Sequence, residues 1–181
     1  MAEKIHIAWQ RAGKDRRLLI VRTGVVFGAG EHGNITRMIQ ALLGRYFFYM
    51  GNRQTRKAGG YVKELCHALA WALARLETQG INVELFNFSM HRTPNLKEYV
   101  QAICRVAGVA RFVPSVPCHL LLAASYAVDA VGRPLGINQP ISPVRIRKVV
   151  RSNNIVPRLL CLAGYKYHYT LDQALEDLAA R

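Results

Sequence analysis

Short apolar runs of strand length alternate along the chain with longer stretches in which apolar residues recur every three or four positions. Leu18–Val21 is an uninterrupted apolar run, which is typical of a strand buried on both faces of a parallel sheet. Val25–Phe27 resumes this run before a glycine-rich bend, and Val83–Ser89 has the composition of another strand. A helical pattern follows these runs, so the sequence predicts an α/β fold in which Leu18–Val21 and Val83–Asn87 share one parallel sheet.

Capping residues predict where several of the helices begin and end. Asn34 precedes an amphipathic stretch and has the residue type of an N-cap, and Gly44 is expected to end that helix. Two pairs have the spacing of a capping box, namely Asn95 with Glu98 and Thr170 with Gln173. The other predicted helical segments are 3–12, 63–78, 120–131, 143–150 after a Ser142 cap, and 155–162.

The charge of the chain is its most unusual compositional property. The 181 residues include 25 Lys+Arg against 11 Asp+Glu, a formal net charge of +14, while 51% hydrophobic residues are enough for a packed core. The basic residues cluster in runs at 11–17, 52–57 and 144–151. Such runs suit the phosphates of a nucleic acid, a membrane surface or a nucleotide, and they also suit a solvated surface.

Several functional classes lack a sequence signature. The four cysteines stand far apart without a CxxC motif, which predicts buried free thiols in a reducing compartment. The six histidines show no metal-ligand spacing, so no metal site is predicted, and no GxSxG motif occurs. No apolar stretch has the length of a membrane span and no signal peptide is recognisable, which predicts a cytoplasmic protein without a membrane partner. Asp172, Glu176 and Asp177 are interpreted as a solvated face of the last helix.

Four segments resemble motifs of one enzyme family and occur in the family's order. They are RLLIVRTGVVFGAGEHGNITRMI (17–39), GNRQTRKAGGYVKEL (51–65), NFSMHRTPNLKEYVQAICRVAGV (87–109) and LAGYKYHYTLDQALEDL (162–178). They are spread over nearly the whole chain, from residue 17 to residue 178. The sequence therefore resembles the NAD-dependent epimerase/dehydratase family, the extended short-chain dehydrogenases.

The resemblance implies only the C-terminal half of such an enzyme. It implies an α/β fold with the last Rossmann-type parallel strands and a small, mostly helical substrate-binding domain. Residues 1–33 would end the cofactor-binding domain, and residues 34–181 would form mostly the substrate-binding domain, with 61–90 returning to the sheet. The family's Gly-x-x-Gly-x-x-Gly and Tyr-x-x-x-Lys motifs do not occur in the sequence. By register the catalytic tyrosine and lysine would precede Met1, which implies no catalytic residue in this chain.

The resemblance also implies binding positions. Thr23, Gly24 and Val25 stand where the family's chain passes the nicotinamide of the cofactor. The substrate-side positions are Asn34, Phe48, Met50, Arg56, Lys57 and Arg145.

These substrate positions leave alternatives open. Capping alone would explain Asn34, and a hydrophobic hairpin would explain Phe48 and Met50. Counting back from Tyr61 without a gap aligns Lys57 with the family's phosphate-binding arginine. One inserted residue aligns Arg56 with it instead, and Arg56 is preferred. Arg147 competes with Arg145, and a guanidinium suits a diphosphate because it donates two parallel hydrogen bonds.

Two functions from different classes follow. The first is the substrate-binding half of an NAD(P)-dependent nucleotide-sugar epimerase or dehydratase, inactive by itself. Its implied cofactor is NAD or NADP in the intact enzyme, with none bound by this chain alone. Its partners would be a nucleotide-diphosphate sugar, the missing N-terminal half, and further copies of the chain through exposed apolar surface. The alternative is a small basic nucleic-acid-binding module, which the net charge supports.

Overall fold

Strands and helices alternate in the computed structural model, which describes residues 2–132 and 143–179. The helices are α1 (Ala2–Arg11), α2 (Asn34–Leu43), α3 (Val62–Thr78), α4 (Leu96–Val106), α5 (Cys118–Gly132), α6 (Pro143–Val150), α7 (Arg158–Leu162) and α8 (Leu171–Ala179). The strands are β1 (Leu18–Thr23), β2 (Val25–Phe27), β3 (Tyr49–Met50), β4 (Gly59–Tyr61), β5 (Val83–Phe88) and β6 (Ser115–Val116).

The strands pair in parallel. β1 pairs with β5, with Leu18 opposite Val83 and Thr23 opposite Phe88, which confirms the predicted parallel sheet. β2 pairs with β4, and β3 pairs with β6. The pattern did not predict β4, because glycine is depleted from strands. Here a Cβ at Gly60 would stand 2.5 Å from Cε1 of Phe88, so the small residue lets the aromatic ring pack against the backbone.

The chain forms two compact units. The first contains residues 1–30, 58–93 and 155–181, and the second contains residues 31–57 and 94–154. The β1–β5 and β2–β4 pairs lie in the first unit, and β3–β6 lies in the second. Which residues form cofactor- and substrate-binding domains remains a prediction.

The core of the first unit covers one face of the β1–β5 sheet. Leu19 and Val21 pack against a buried cluster made of Ala68, Ala72, Phe86, Phe88, Leu160 and Tyr165. The side chains of Val83 and Leu85 alternate with the buried ones and remain more than a third exposed. The prediction that β1 is buried on both faces is therefore wrong, since Leu18–Val21 are all only partly buried. The expected exposed apolar surface is present at Val83 and Leu85.

Two predicted capping boxes are confirmed, and one predicted cap is wrong. Asn95 accepts the backbone N–H of Glu98 at 2.8 Å, and Glu98 accepts that of Asn95 at 2.7 Å. The Thr170–Gln173 pair makes the same two bonds, at 3.3 and 2.9 Å.

Asn34 is not the N-cap of α2, because the helix begins at Asn34 itself and Gly33 occupies the cap position. Glu31 takes over the capping role: its Oε2 accepts the backbone N–H of Thr36 at 3.1 Å. The predicted end at Gly44 is confirmed. Ser142 lies outside the described residues.

The cysteines are unpaired but not buried as predicted. Cys66 and Cys161 are exposed, and Cys104 and Cys118 are half-buried. In α3 the buried face carries Ala68 and Ala72, and Cys66 lies on another face of the helix.

Among the described residues, no helix combines the length and the hydropathy needed to cross a bilayer. The same residues contain no group of three side chains arranged to hold a metal ion.

Candidate functional site

The candidate cofactor residues lie where β1 ends in the first unit. β1 and β5 run in parallel and end together, and Thr23 and Val25 are exposed there. Ligands of parallel α/β sheets bind outside the carboxyl ends of the strands. Thr23, Gly24 and Val25 therefore occupy the edge at which such a fold binds its ligands.

Gly24 makes the connection between β1 and β2 possible. Its N–H donates to the carbonyl of Phe88 at 3.2 Å, and the next N–H, of Val25, donates to the carbonyl of Ala58 at 3.0 Å. A Cβ at Gly24 would stand 2.4 Å from that Ala58 oxygen. A side chain at position 24 would therefore push the β1 end away from the backbone at Ala58.

In the second unit, residues 52–57 form a turn with three basic side chains, which we call the basic turn. Asn52 organises it: its Oδ1 accepts the N–H of Gln54 at 2.8 Å, and its carbonyl accepts the N–H of Thr55 at 3.0 Å. The Thr55 hydroxyl donates to the same carbonyl at 2.7 Å. These local bonds are typical of an Asx turn.

Backbone bonds hold the basic turn against the start of α4 and the segment after α6. Leu96 donates to the Thr55 carbonyl at 3.1 Å, and Lys57 donates to the Pro94 carbonyl at 3.0 Å. On the other side, Asn153 donates to the carbonyl of Arg56 at 2.9 Å. The turn is thus anchored by residues that lie about 40 and nearly 100 positions away in the sequence.

The structure gives different roles to the two candidate phosphate ligands. The Nζ of Lys57 donates to the carbonyls of Arg151 at 2.7 Å and Lys148 at 3.4 Å, which cap the end of α6. Burial lowers the pKa of the Lys57 ammonium below its usual value. Arg56 is exposed while its backbone is fixed on both sides. Arg56 is therefore better placed than Lys57 to meet a ligand from solvent.

The other substrate-side residues are distributed over three elements of the second unit. Asn34 is exposed at the first position of α2, and Phe48 and Met50 are half-buried at β3, where Met50 pairs with Val116. Arg145 lies in α6, but its side chain is outside the described residues.

Arg147, the alternative to Arg145, is tied to the neighbouring helix α5. Its Nη2 donates to the Tyr126 hydroxyl at 2.9 Å. This contact joins α6 to α5 through one nitrogen of the exposed Arg147 guanidinium.

Glu64 is a buried carboxylate whose burial the sequence analysis did not predict. It is fully buried on α3, and it accepts the backbone N–H groups of His168 at 2.9 Å and Tyr169 at 2.8 Å. The Tyr165 hydroxyl donates to its Oε1. Ala68 is one turn further along α3 and faces the core, and this four-residue spacing is the signal that could have identified Glu64 as buried.

Asp177 is bonded to the first unit's core, so its interpretation as part of a solvated helix face is wrong. It accepts the Tyr61 hydroxyl at 2.6 Å and the Lys63 ammonium at 2.6 Å. Burial, followed by the hydrogen bond to Asp177, raises the pKa of Tyr61. These contacts attach α8 to the β4–α3 junction, which no local pattern could indicate.

Two tyrosines of the C-terminal segment, Tyr165, which is buried, and Tyr167, which is half-buried, make the stability of the fold sensitive to alkali. Burial raises the pKa of Tyr165 and Tyr167 well above the usual value, and the Glu64 carboxylate raises that of Tyr165 further. A raised pKa in the folded state favours the neutral phenol, so the stabilisation is complete below the unfolded pKa of about 10. It is lost as the pH rises above that value, because the unfolded chain then releases protons that the folded chain retains.

We therefore expect the unfolding free energy to fall steeply above about pH 10. Tyr165→Phe lacks the buried phenol and should show a shallower fall, together with lower stability at neutral pH because Glu64 loses a donor. Urea unfolding followed by circular dichroism at a series of alkaline pH values measures both effects. Tyr46→Phe, at an exposed position, is the control. Equal slopes for Tyr165→Phe and the wild type would contradict the assignment.

A comparison of the sequence with curated proteins finds similarity to an epimerase. The chain is 23% identical over 178 residues to N-acetyl-alpha-D-glucosaminyl-diphospho-ditrans,octacis-undecaprenol 4-epimerase of Escherichia coli O157:H7, covering 97% of this chain and 52% of that protein. The chain thus spans about half the length of this curated relative. No protein-family model matches the sequence.

Solved structures of epimerases share the fold. UDP-N-acetylglucosamine 4-epimerase from Bacillus cereus matches with a TM-score of 0.66 at 15% identity, covering 98% of this chain and 52% of that one. A human epimerase family protein, solved with NADPH, matches with a TM-score of 0.65 at 20% identity, covering 98% and 55%. The α/β fold with parallel strands that the sequence predicts is confirmed, and it matches about half the length of these structures, which is consistent with the predicted C-terminal half.

Proposed function

We propose that the chain belongs to the NAD-dependent epimerase/dehydratase family and forms the half that binds a sugar diphosphate. The observation that carries the proposal is the rigid basic turn of the second unit, which holds the exposed Arg56 by its backbone. The named relatives are epimerases, and the described fold is theirs over half their length.

In this proposal the basic turn binds the diphosphate. The Arg56 guanidinium donates hydrogen bonds to the phosphate oxygens, and Asn34, at the exposed N-terminus of α2, contributes an amide side chain. Lys57 acts indirectly, since its bonds to the last carbonyls of α6 keep the turn and that helix together. Arg145 is proposed as a further ligand, and Phe48 and Met50 as the strand that borders the base.

The proposed cofactor is NAD or NADP in the intact enzyme. Thr23, Gly24 and Val25 would border the nicotinamide, and the bare backbone at Gly24 fits such a role because no side chain could be accommodated there. The cofactor would accept a hydride from the sugar and return it. The sequence contains neither the family's glycine-rich motif nor its Tyr-x-x-x-Lys, so we propose that this chain alone neither binds NAD nor turns over substrate.

Two kinds of group are candidates for the part of the substrate to which the sugar diphosphate is attached. A nucleotide is the first, because the resemblance implies it and one structural neighbour is named for a UDP-linked sugar. A polyprenol is the second, because the relative from Escherichia coli is named for an undecaprenol-linked diphosphosugar. The diphosphate is common to both, so the role proposed for Arg56 is the same in each case.

Calorimetric titration of the full chain with uridine diphosphate tests the proposal. We expect weak binding that decreases with salt, because the turn is exposed, and a loss of about tenfold in affinity for Arg56→Ala. Arg17→Ala is the matched control: it removes an exposed arginine from another basic run and should leave the affinity unchanged.

The same titration distinguishes the alternative function. Uridine diphosphate binding that is equal in Arg56→Ala and the wild type would contradict the proposed role of the basic turn. Tight binding of a random single-stranded oligonucleotide, with a steep salt dependence and no effect of Arg56→Ala, would favour the nucleic-acid-binding module.

A further inference from the structure

Two arginine–aromatic pairs, Arg45–Tyr46 and Arg111–Phe112, line one cavity of about 340 Å³ in the second unit. We call these four residues the aromatic–arginine patch. The first pair follows the end of α2, and the second precedes β6. The proposed sugar-diphosphate site uses none of the four residues.

The two aromatic side chains of the patch face solvent. Tyr46 is 66% exposed and Phe112 is 93% exposed. The backbone fixes the first pair: Arg45 adopts a positive φ of 65°, and the N–H of Tyr46 donates to the carbonyl of Ala41 at 3.0 Å. A non-glycine residue in this conformation is uncommon, so the turn that presents Tyr46 is a defined structure. Exposed aromatic groups beside a cavity are typical of an interaction surface.

The charges of the patch favour an anionic partner. Both arginines line the cavity, Arg45 with an exposed side chain and Arg111 with a half-buried one. The surrounding unit is also strongly basic: residues 31–57 and 94–154 contain 13 Lys+Arg and 3 Asp+Glu, which is +10 of the total +14.

We propose that the aromatic–arginine patch docks on the surface of an anionic membrane. Tyr46 and Phe112 would enter the boundary between headgroups and acyl chains, and Arg45 and Arg111 would contact lipid phosphates. The exposed fractions of the side chains fit this arrangement. Phe112 is 93% exposed and would enter the bilayer furthest, whereas Arg111 is half-buried and would remain at the level of the phosphates. A bilayer boundary offers phosphates and apolar chains at successive depths, which a free anion does not. The same cavity is also lined by Phe48, which is proposed above to border the base, but the vesicle experiment below contains no sugar diphosphate, so its result does not depend on that site.

Vesicle binding by the full chain tests the proposal. We expect binding to phosphatidylcholine vesicles that contain about 30% phosphatidylglycerol, and much weaker binding to pure phosphatidylcholine. Phe112→Ser should lower the partition coefficient on the order of tenfold, through the apolar area that no longer leaves water. Leu162→Ser is the matched control, because Leu162 is 88% exposed in the first unit, and its partition coefficient should be unchanged.

A second measurement separates insertion from adsorption by charge alone. After subtraction of the wild-type emission, which comes from Trp9 and Trp71, lipids brominated on their acyl chains should quench a tryptophan placed at position 112 by Phe112→Trp, but not one placed at position 162 by Leu162→Trp. Both positions are exposed, so the variants are expected to keep the wild-type melting curve.

Several outcomes would overturn the proposal. One is equal vesicle binding by Phe112→Ser and the wild type; another is equal quenching at positions 112 and 162. A third is that Phe112→Ser abolishes binding of a single-stranded oligonucleotide and leaves vesicle binding intact, which would assign the patch to nucleic acid. The last is that the substitution dissolves a dimer without affecting vesicle binding, which would assign the patch to a second copy of the chain.

Discussion

Glu64→Ala is expected to lower the unfolding free energy by about 3–5 kcal/mol. The substitution removes the fully buried carboxylate that accepts the backbone N–H groups of His168 and Tyr169, and it leaves the Tyr165 hydroxyl with only the backbone carbonyl of residue 64, at 3.4 Å. Each buried donor left unsatisfied costs about 1–3 kcal/mol, and some relaxation of the 165–169 segment offsets part of this cost. Urea or thermal unfolding followed by circular dichroism measures the difference.

Glu77→Ala is the matched control for this experiment. Glu77 lies on the same helix, α3, but is exposed, so its loss should change the unfolding free energy by no more than about 0.5 kcal/mol. Limited proteolysis gives a second measurement, because Glu64→Ala should make the chain near 165–169 the first site of cleavage. Equal stabilities of the two variants would show that Glu64 does not anchor the C-terminal segment.

Gly24→Ala is expected to cost about 3 kcal/mol of stability. The new Cβ would stand 2.4 Å from the Ala58 carbonyl oxygen, a backbone atom that is held by the N–H of Val25. Relief of this overlap requires separation of the β1–β2 connection from the start of β4. The midpoint of urea unfolding is the measurement.

Gly13→Ala provides the comparison for Gly24→Ala. A Cβ at Gly13 would also come close to another residue, at 2.7 Å, but its neighbour is the flexible side chain of Arg16. That side chain can rotate away at the cost of its exposed contacts with the Trp9 carbonyl and ring, so we expect a change of no more than about 1 kcal/mol. A Gly24→Ala variant as stable as Gly13→Ala would mean that the backbone around Ala58 yields easily, and position 24 would then not require glycine.

The sequence by itself determined the features that depend on neighbouring residues. The capping box of α4 joins Asn95 to Glu98, and the Asx turn at Asn52 joins residues two and three positions apart. The strands β1 and β5 were recognisable from short apolar segments, and the helices that follow them in the chain predicted parallel pairing. The order and residue types of the four resembling segments likewise indicated the fold.

The sequence pattern did not decide which of two nearby side chains caps helix α2. Asn34 has the residue type of an N-cap, yet Glu31, with a longer side chain, reaches the N–H of Thr36 and its hydroxyl from outside the helix. Helix α2 therefore begins at Asn34 itself and leaves that residue exposed. Residue type predicts that a cap is available, but only geometry decides which of two acceptors is used.

Only the tertiary structure decided the contacts between distant segments. Glu64 meets Tyr165 across 101 positions, Lys57 meets Arg151 across 94, and Asp177 meets Tyr61 across 116. In each case a charged side chain, fully buried at Glu64 and half-buried at Lys57 and Asp177, is bonded by groups from another part of the chain, and these hydrogen bonds compensate for the loss of water. Local periodicity indicates which face of a helix is apolar. The partner of a buried charge depends on which distant segment packs against that helix, and this is a property of the whole fold.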